Sequence, residues 1–186
     1  LDVGATDIGT GSDTILAQIA GEVLGVGPDK IIVLSSDTDR TPFDVGAYAS
    51  STTYISGGAV KKCAEKIREQ IFDVAVAMKG WDREDLVLAD ESVKNKKTGE
   101  AVSLSDIAVF ALYTKDQFQI QASASHTAPE SPPPFIAHFV ELDVDRRTGK
   151  VDLLRVATAV DCGQAINPVL AEGQVEGAVV NGLSYA

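Results

Sequence analysis

The sequence predicts an α+β fold, with a mixed or antiparallel sheet, a long central helix and several shorter helices. Apolar residues recur three or four positions apart over about residues 51–79, which indicates one long helix with an apolar face. Residues 135–143 and 150–160 have the pattern of two strands around an Asp-Arg-Arg-Thr-Gly turn, which predicts a β-hairpin. The 186 residues, 45% of them hydrophobic, suffice for one sizeable domain or two small ones.

A glycine turn and an amphipathic helix are predicted near the beginning of the chain. Residues 1–5 have the character of a buried strand, and the Gly-Thr-Gly sequence at 9–11 predicts a tight turn. We expect Ser12 or Asp13 to cap the helix that follows and Gly25 to end it in the left-handed conformation. The apolar residues of this helix have helical spacing: Ile15, Leu16, Ile19, Ala20, Val23 and Leu24.

The same turn is a candidate anion site. A glycine turn that leads into a helix presents free backbone N–H groups and the positive end of the helix dipole. Gly9, Thr10 and Gly11 could therefore bind a phosphate. The alternative is an ordinary strand–helix turn that uses glycine for its backbone angles, because short glycine motifs have many false positives.

A second candidate anion site precedes the long helix. A strand is expected at residues 30–35, a polar loop follows it, and four consecutive hydroxyl side chains then stand at residues 50–53. N-capping needs only one such side chain, so we expect some of them to meet a ligand. Gly57 and Gly58 would destabilise the first turns of the helix, which predicts close approach of another backbone or of a ligand.

The remaining elements are assigned from local patterns. Residues 83–114 are expected to form a small insert-like α/β unit, in which Ser103 and Asp106 have the form of a capping box before a short helix. Residues 118–127 alternate with a period of two and predict a further strand. A last helix should begin at Asn167–Pro168, where Gln174, among glycines near helical spacing, could hydrogen-bond a ligand.

Charge and composition exclude several classes of function. The formal net charge of −11 disfavours nucleic acid and anionic membranes as main partners, because both are polyanions. No apolar run approaches the length of a membrane span. Cys63 and Cys162 provide neither metal-ligand spacing nor a disulfide framework, and two reduced thiols favour a cytoplasmic location. His126 and His138 are interpreted as hydrogen-bonded side chains, so no metal ligand is assigned.

Taken together, these motifs resemble the molybdenum-cofactor-binding subunit of the xanthine dehydrogenase / aldehyde oxidase family, the molybdenum hydroxylases. The first residue is not Met and both ends fall inside predicted elements, so we expect an internal piece of that subunit, truncated at both ends. The matching blocks span essentially the whole chain in family order: 6–14, 49–53, 56–60, 140–145, 148–151, 161–168 and 173–178.

The resemblance implies a set of cofactor-binding residues. They would bind molybdopterin, with or without a cytosine dinucleotide extension, through backbone amides and polar side chains. Thr10 departs from the family pattern, because many members have a longer glutamine there. The implied residues are Gly9, Thr10, Gly11, Ala49, Ser50, Ser51, Thr52 and Gln174.

The resemblance also implies an oxidoreductase that hydroxylates an aldehyde, a purine or another N-heterocycle. The rest of the molybdopterin subunit, together with subunits or domains that carry iron–sulfur clusters and FAD, would be its partners. The catalytic Glu of the family is expected beyond residue 186, so no catalytic residue is assigned, and residues 1–186 alone are expected to be inactive.

Two other classes stay open from the residues themselves. The helix starts could belong to a phosphate- or nucleotide-binding module without redox chemistry. Alternatively, the chain could be a structural or assembly domain in which the glycines serve packing. Molybdenum and pterin content distinguishes the three possibilities.

Overall fold

The computed structural model describes residues 1–114 and 117–186, and its mixture of helices and strands confirms the α+β class. The chain divides into two compact units, Leu1–Ala128 and Pro129–Ala186. Within the described residues the strands form small separate sheets, one of them parallel and the others antiparallel. The long central helix lies in the first unit and the predicted hairpin in the second.

The first unit begins with a strand, a helix and a second strand. Strand β1 (Asp2–Val3) pairs in parallel with strand β2 (Leu34–Ser35), and helix α1 (Ser12–Leu24) connects them. The strand predicted at residues 30–35 is shorter than expected, because a 3₁₀ turn at Pro28–Lys30 takes up its first residue and only its last two residues pair. Gly25 ends α1 in the left-handed conformation, as predicted.

The long helix is confirmed, with an unusual beginning. Residues Thr52–Ser56 form a π-helical turn that continues directly into helix α2 (Gly57–Lys79). Side chains, not another backbone, lie closest to the two glycines of this junction. A Cβ at Gly57 would lie 2.9 Å from Ile19 Cδ1, and one at Gly58 would lie 2.3 Å from His126 Cδ2.

An antiparallel sheet packs against α2 and completes the core of the first unit. Strands β3 (Leu86–Ala89), β4 (Ser92–Asn95) and β5 (Ala101–Ser103) lead into helix α3 (Leu104–Tyr113). Residues 83–114 therefore share one apolar core with α2. The buried members of that core are Ile71, Val74, Ala75, Leu86, Val93, Val102, Ile107 and Ala111.

The predicted cap at the start of α3 is present in its Ser103 half, and it yields a stability test. Ser103 Oγ accepts a hydrogen bond of 3.0 Å from the N–H of Asp106. Ser103→Ala should lower the free energy of unfolding by about 1 kcal/mol, because an N–H in the first turn loses its acceptor. Urea unfolding, followed by the fluorescence of Trp81, measures the change. Ser105→Ala, at an exposed position in the same turn, should change little, and equal losses would contradict the assignment.

The strand predicted at residues 118–127 is wrong, because this segment is extended without joining a sheet. Side chains of α2 satisfy its backbone instead. Gln70 donates to the carbonyl of Gln121 at 2.9 Å, and Lys66 Nζ donates to the carbonyl of Ser123 at 2.8 Å. Period-two alternation indicates an extended backbone, and here the partner is a helix surface.

The second unit contains the predicted hairpin and a last helix. Strands β6 (Phe135–Val144) and β7 (Val151–Asp161) pair antiparallel, with one irregularity in register between Glu141 and Leu142. Helix α4 (Pro168–Tyr185) begins with Pro at its first position, as predicted. Asn167 Oδ1 caps it by accepting from the N–H of Leu170 at 3.1 Å. Apolar side chains on both faces of the hairpin are largely exposed.

Candidate functional site

The glycine turn before α1 is built around a carboxylate. Gly9 and Gly11 both adopt positive φ angles, of 95° and 76°. Asp7 Oδ1 accepts hydrogen bonds from their N–H groups, at 2.8 Å from Gly9 and 3.2 Å from Gly11. The N–H groups that the sequence offers to a phosphate are thus bound, in this structure, to the chain's own carboxylate.

The environment of Asp7 favours its charged form. Burial alone would raise the pKa of its carboxyl, but amide donors outweigh burial and hold the pKa below the ordinary value of 3.8. The stabilisation from these bonds is therefore present above pH 3.8 and is lost as the pH falls through the lower, folded-state pKa. The donors are the N–H groups of Gly9, Gly11, Asp13 and Thr10.

Helix α1 begins without the cap predicted for Ser12 or Asp13, because neither side chain makes a capping hydrogen bond. Ser12 is fully buried, and its hydroxyl has no hydrogen-bond partner among the described residues. Asp13 Oδ2 accepts from Ser35 Oγ at 3.0 Å, whereas its buried Oδ1 has no partner within the same residues. The start of α1 therefore contains two buried side-chain oxygens, Ser12 Oγ and Asp13 Oδ1, to which the described residues supply no hydrogen bond.

A surface cleft of about 460 Å³ opens beside the first turns of α1. The carboxylates of Asp13 and Asp29 line the cleft and would repel a phosphate there. A phosphate is better placed at the amide-rich turns. The cleft is lined by Asp13, Thr14, Ala17, Pro28, Asp29, Ile31 and Val33.

The second predicted loop is strained and hydrogen-bonded internally. Ala49 and Ser50 have φ angles of 51° and 57°, a left-handed conformation that costs about 1–2 kcal/mol at each non-glycine residue. Ser51 Oγ donates to the carbonyl of Gly46 at 3.2 Å, and its N–H donates to the carbonyl of Tyr48 at 3.0 Å. Such strain is concentrated at ligand-binding segments in proteins, and here it falls on residues predicted to bind a ligand.

Asp44 supports this loop as Asp7 supports the first. Its Oδ1 accepts from the N–H of Gly46 at 2.8 Å, and its Oδ2 accepts from Ser56 Oγ at 3.0 Å. Neither carboxylate was predicted from the sequence. A common signal was present, because Asp-x-Gly occurs at both places and an Asp side chain readily accepts the N–H two residues on.

The two loops meet at Gly4. A Cβ at this position would lie 2.1 Å from the carbonyl oxygen of Pro42 and 2.9 Å from Asp44 Cβ. Helix α1 also contacts both the π-helical turn at Thr52–Ser56 and α2. The structure therefore brings the predicted residues 9–11 and 49–52 into one compact unit, each at the entrance of a helix that packs against the other.

Gln174 lies on α4 in the second unit, where its side chain is exposed. A Cβ at Gly173, Gly177 or Gly182 of the same helix would meet no described atom within 4 Å.

The two histidines differ in their surroundings. His138 Nδ1 lies 2.9 Å from Thr158 Oγ1 across the hairpin, which fits the predicted hydrogen-bonded role. His126 is different, because its buried Nδ1 has no partner among the described residues while its ring packs edge-on against Tyr54. The described residues contain no group of three or more His, Cys, Asp or Glu side chains that could hold a metal ion. No helix in the described ranges has the length and apolarity to cross a membrane.

Comparison with known proteins extends this description. The family described as "Molybdopterin cofactor-binding domain" matches the chain over residues 1–186. The "Probable hypoxanthine oxidase XdhD" of Escherichia coli (strain K12) is 39% identical over 183 residues, which are 98% of this chain and 19% of that protein. The "6-hydroxypseudooxynicotine dehydrogenase complex subunit gamma" of Paenarthrobacter nicotinovorans is 34% identical, over 98% of this chain and 24% of its own length.

A solved structure agrees with the fold. The crystal structure of the Cu,Mo-CO dehydrogenase superimposes with a TM-score of 0.84 at 29% sequence identity, covering 94% of this chain and 22% of that chain. This chain therefore spans about a fifth to a quarter of the length of these relatives. The matches confirm the family resemblance drawn from the sequence blocks.

Proposed function

We propose that this chain, which belongs to the molybdopterin cofactor-binding domain family, binds the pterin and phosphate end of molybdopterin between the N-terminal ends of α1 and α2. The observation that carries the proposal is the junction at Gly4, where the loop that leads to Ala49–Thr52 contacts the segment between β1 and the glycine turn. Two amide-rich helix entrances thereby belong to one unit, as a single extended ligand requires.

The residues present suit this ligand. A pterin offers amide-like donors and acceptors, and its phosphate needs N–H and hydroxyl donors. Ser12 Oγ and Asp13 Oδ1 are buried polar atoms without partners in the described structure, and buried polar atoms normally have one. Gly9 and Gly11 already donate to Asp7, so we assign the polar contacts of this turn to Thr10 and to the first turn of α1. Gly9 and Gly11 would then contribute close approach of the backbone.

The second loop and the last helix would add further contacts. Ser50, Ser51 and Thr52 bring hydroxyls and amides to the entrance of α2, and the left-handed turn at Ala49 and Ser50 would fix their directions. Gln174 would bond the pterin through its side-chain amide, as the family pattern implies. We also propose that residues 1–186 form part of a larger cofactor-binding domain, with 83–114 as an insert-like unit on α2.

For the complete enzyme we propose oxidative hydroxylation of an aldehyde or an N-heterocycle. Molybdopterin supplies the redox chemistry when it is bound. The residues of this chain position the cofactor and prevent it from binding in other orientations. A relative is named as a hypoxanthine oxidase, which favours a purine among the candidate substrates. Another relative is named as one subunit of a dehydrogenase complex, which supports the presence of partner subunits. We expect those partners to carry iron–sulfur clusters and FAD, as the family resemblance implies. The cytosine dinucleotide form of the cofactor and a cytoplasmic location belong to the same proposal.

Metal and pterin analysis of the purified full-length enzyme tests the proposal. We expect molybdenum together with a pterin that becomes fluorescent on oxidation, followed by turnover in a screen of aldehydes and N-heterocycles. Release of a nucleotide without molybdenum would select a phosphate-binding module instead. Neither molybdenum nor nucleotide would select a structural domain.

A charge substitution tests the assignment of the first turn. Thr10→Asp in the full-length enzyme should lower the retained pterin about tenfold, because a carboxylate would face the phosphate, and tenfold corresponds to about 1.4 kcal/mol. The pterin that stays bound after gel filtration is the measure. Ser105→Asp adds the same charge at the start of α3 and should retain the wild-type amount. Equal retention in both variants would remove Thr10 from the site.

A further inference from the structure

Asp7 makes a contact that differs from the other turns of its type. Aspartate in an Asp-x-Gly sequence accepts the N–H of the glycine at Asp44–Gly46 and at Asp161–Gly163. Asp7 also accepts from Gly11, so one carboxylate oxygen joins both left-handed glycines of the turn. This second bond fixes the residue that immediately precedes α1.

The turn needs such a restraint. Glycine populates positive and negative φ angles about equally, so two glycines around Thr10 allow the unbound turn many conformations. The first helical hydrogen bond, from the N–H of Ile15 to the carbonyl of Gly11, is 3.1 Å long and depends on the orientation of the Gly11 peptide. The Asp7 bonds therefore restrain the backbone on both sides of Thr10, including the residue from which the first turn of α1 begins.

The charge of Asp7 argues against a direct role in anion binding. A carboxylate close to a phosphate repels it, so the charge by itself would weaken a phosphate-binding turn. The useful property of Asp7 must then be its acceptor oxygen. An asparagine supplies the same oxygen without the charge.

We infer that Asp7 is a positioning residue, whose carboxylate oxygen holds residues 9–11 in the conformation that presents Thr10 and the start of α1 to the cofactor. The inference rests on the proposed function and adds to it a residue that touches neither pterin nor phosphate. It separates two properties of Asp7, the hydrogen-bond acceptor and the negative charge.

Three variants of the full-length enzyme test the inference, with retained pterin after gel filtration as the first readout and the melting temperature as the second. Asp7→Ala, which lacks the acceptor, should retain about fivefold less pterin than wild type, from the loss of two hydrogen bonds. Asp7→Asn, which keeps the acceptor, should retain at least the wild-type amount. The matched control is Asp145→Ala, because Asp145 accepts the N–H of Arg147 at 2.8 Å in a turn of the second unit. It should leave retention unchanged.

The outcomes separate this inference from the proposed function. A deficit in Asp7→Ala that Asp7→Asn restores, without a matching fall in melting temperature, supports the positioning role. Wild-type retention in Asp7→Ala, higher retention in both Asp7 variants, or equal losses in both would overturn it, since each makes the acceptor irrelevant. Absence of pterin from the wild-type enzyme would overturn the proposed function and this inference together.

Discussion

Leu16→Ala is expected to lower the free energy of unfolding of the first unit by about 3 kcal/mol. Leu16 is 0% exposed on the inner face of α1, and a Cβ at Gly57 would lie 4.0 Å from its Cδ2 atom. The side chain therefore fills the space between α1 and the start of α2, where glycine leaves no atoms to take its place. Truncation removes apolar burial and leaves a cavity that the two helices cannot easily close.

Urea unfolding, followed by the fluorescence of Trp81, measures the loss in the free energy of unfolding. Trp81 is the single tryptophan in residues 1–186. Ile32→Ala provides the control, because Ile32 lies in the same unit and is 86% exposed. It should change stability by less than about 0.5 kcal/mol. A loss for Leu16→Ala as small as that of the control would mean that α1 does not pack against α2 as described.

Gly25→Ala should also cost about 3 kcal/mol, for two separable reasons. Gly25 has a φ angle of 61°, where a side chain costs about 1–2 kcal/mol. A Cβ there would in addition lie 2.7 Å from both Ala89 Cα and the carbonyl oxygen of Leu88. Backbone atoms cannot move aside as a flexible side chain can, so overpacking adds its own cost. The carbonyl of Gly25 also accepts the N–H of Glu91 at 2.9 Å, which holds the chain at this contact.

Gly80→Ala is the matched control for Gly25→Ala. Gly80 ends α2 in the same left-handed conformation, with a φ angle of 69°, but a Cβ there would meet no described atom within 4 Å. It should cost only the conformational part, about 1 kcal/mol, in the same urea experiment. The difference between the two variants isolates the backbone clash, and identical values would exclude that clash.

Elements with signals at both ends could be predicted from the sequence. Gly11 and Gly25 delimit α1, and the observed helix runs from Ser12 to Leu24. The hairpin also follows the prediction, because the alternation and the turn residues agree. The segment at 118–127 could not be predicted in this way, since its backbone hydrogen bonds come from distant side chains of α2 such as Gln70 and Lys66.

The candidate site could be predicted in its backbone and only partly in its side chains. Glycine turns and hydroxyl runs identify candidate amides at residues 9–11 and 50–53, and their binding of a cofactor stays a prediction. The sequence could not reveal that Asp7 takes up the amides of Gly9 and Gly11, because the Asp-x-Gly spacing indicates one such bond and the fold supplies the second. Whether Gln174 binds the same ligand stays a prediction.

The π-helical turn at Thr52–Ser56 changes which residues share a face of the long helix. The N–H of Gly57 donates to the carbonyl of Thr52, five residues earlier, so this turn contains one residue more than an α-helical turn. One residue of an α-helix corresponds to a rotation of about 100°. A helical wheel drawn from α2 therefore loses its phase upstream of Gly57, and the face assigned to Thr52–Ser56 from the spacing of the α2 residues is rotated.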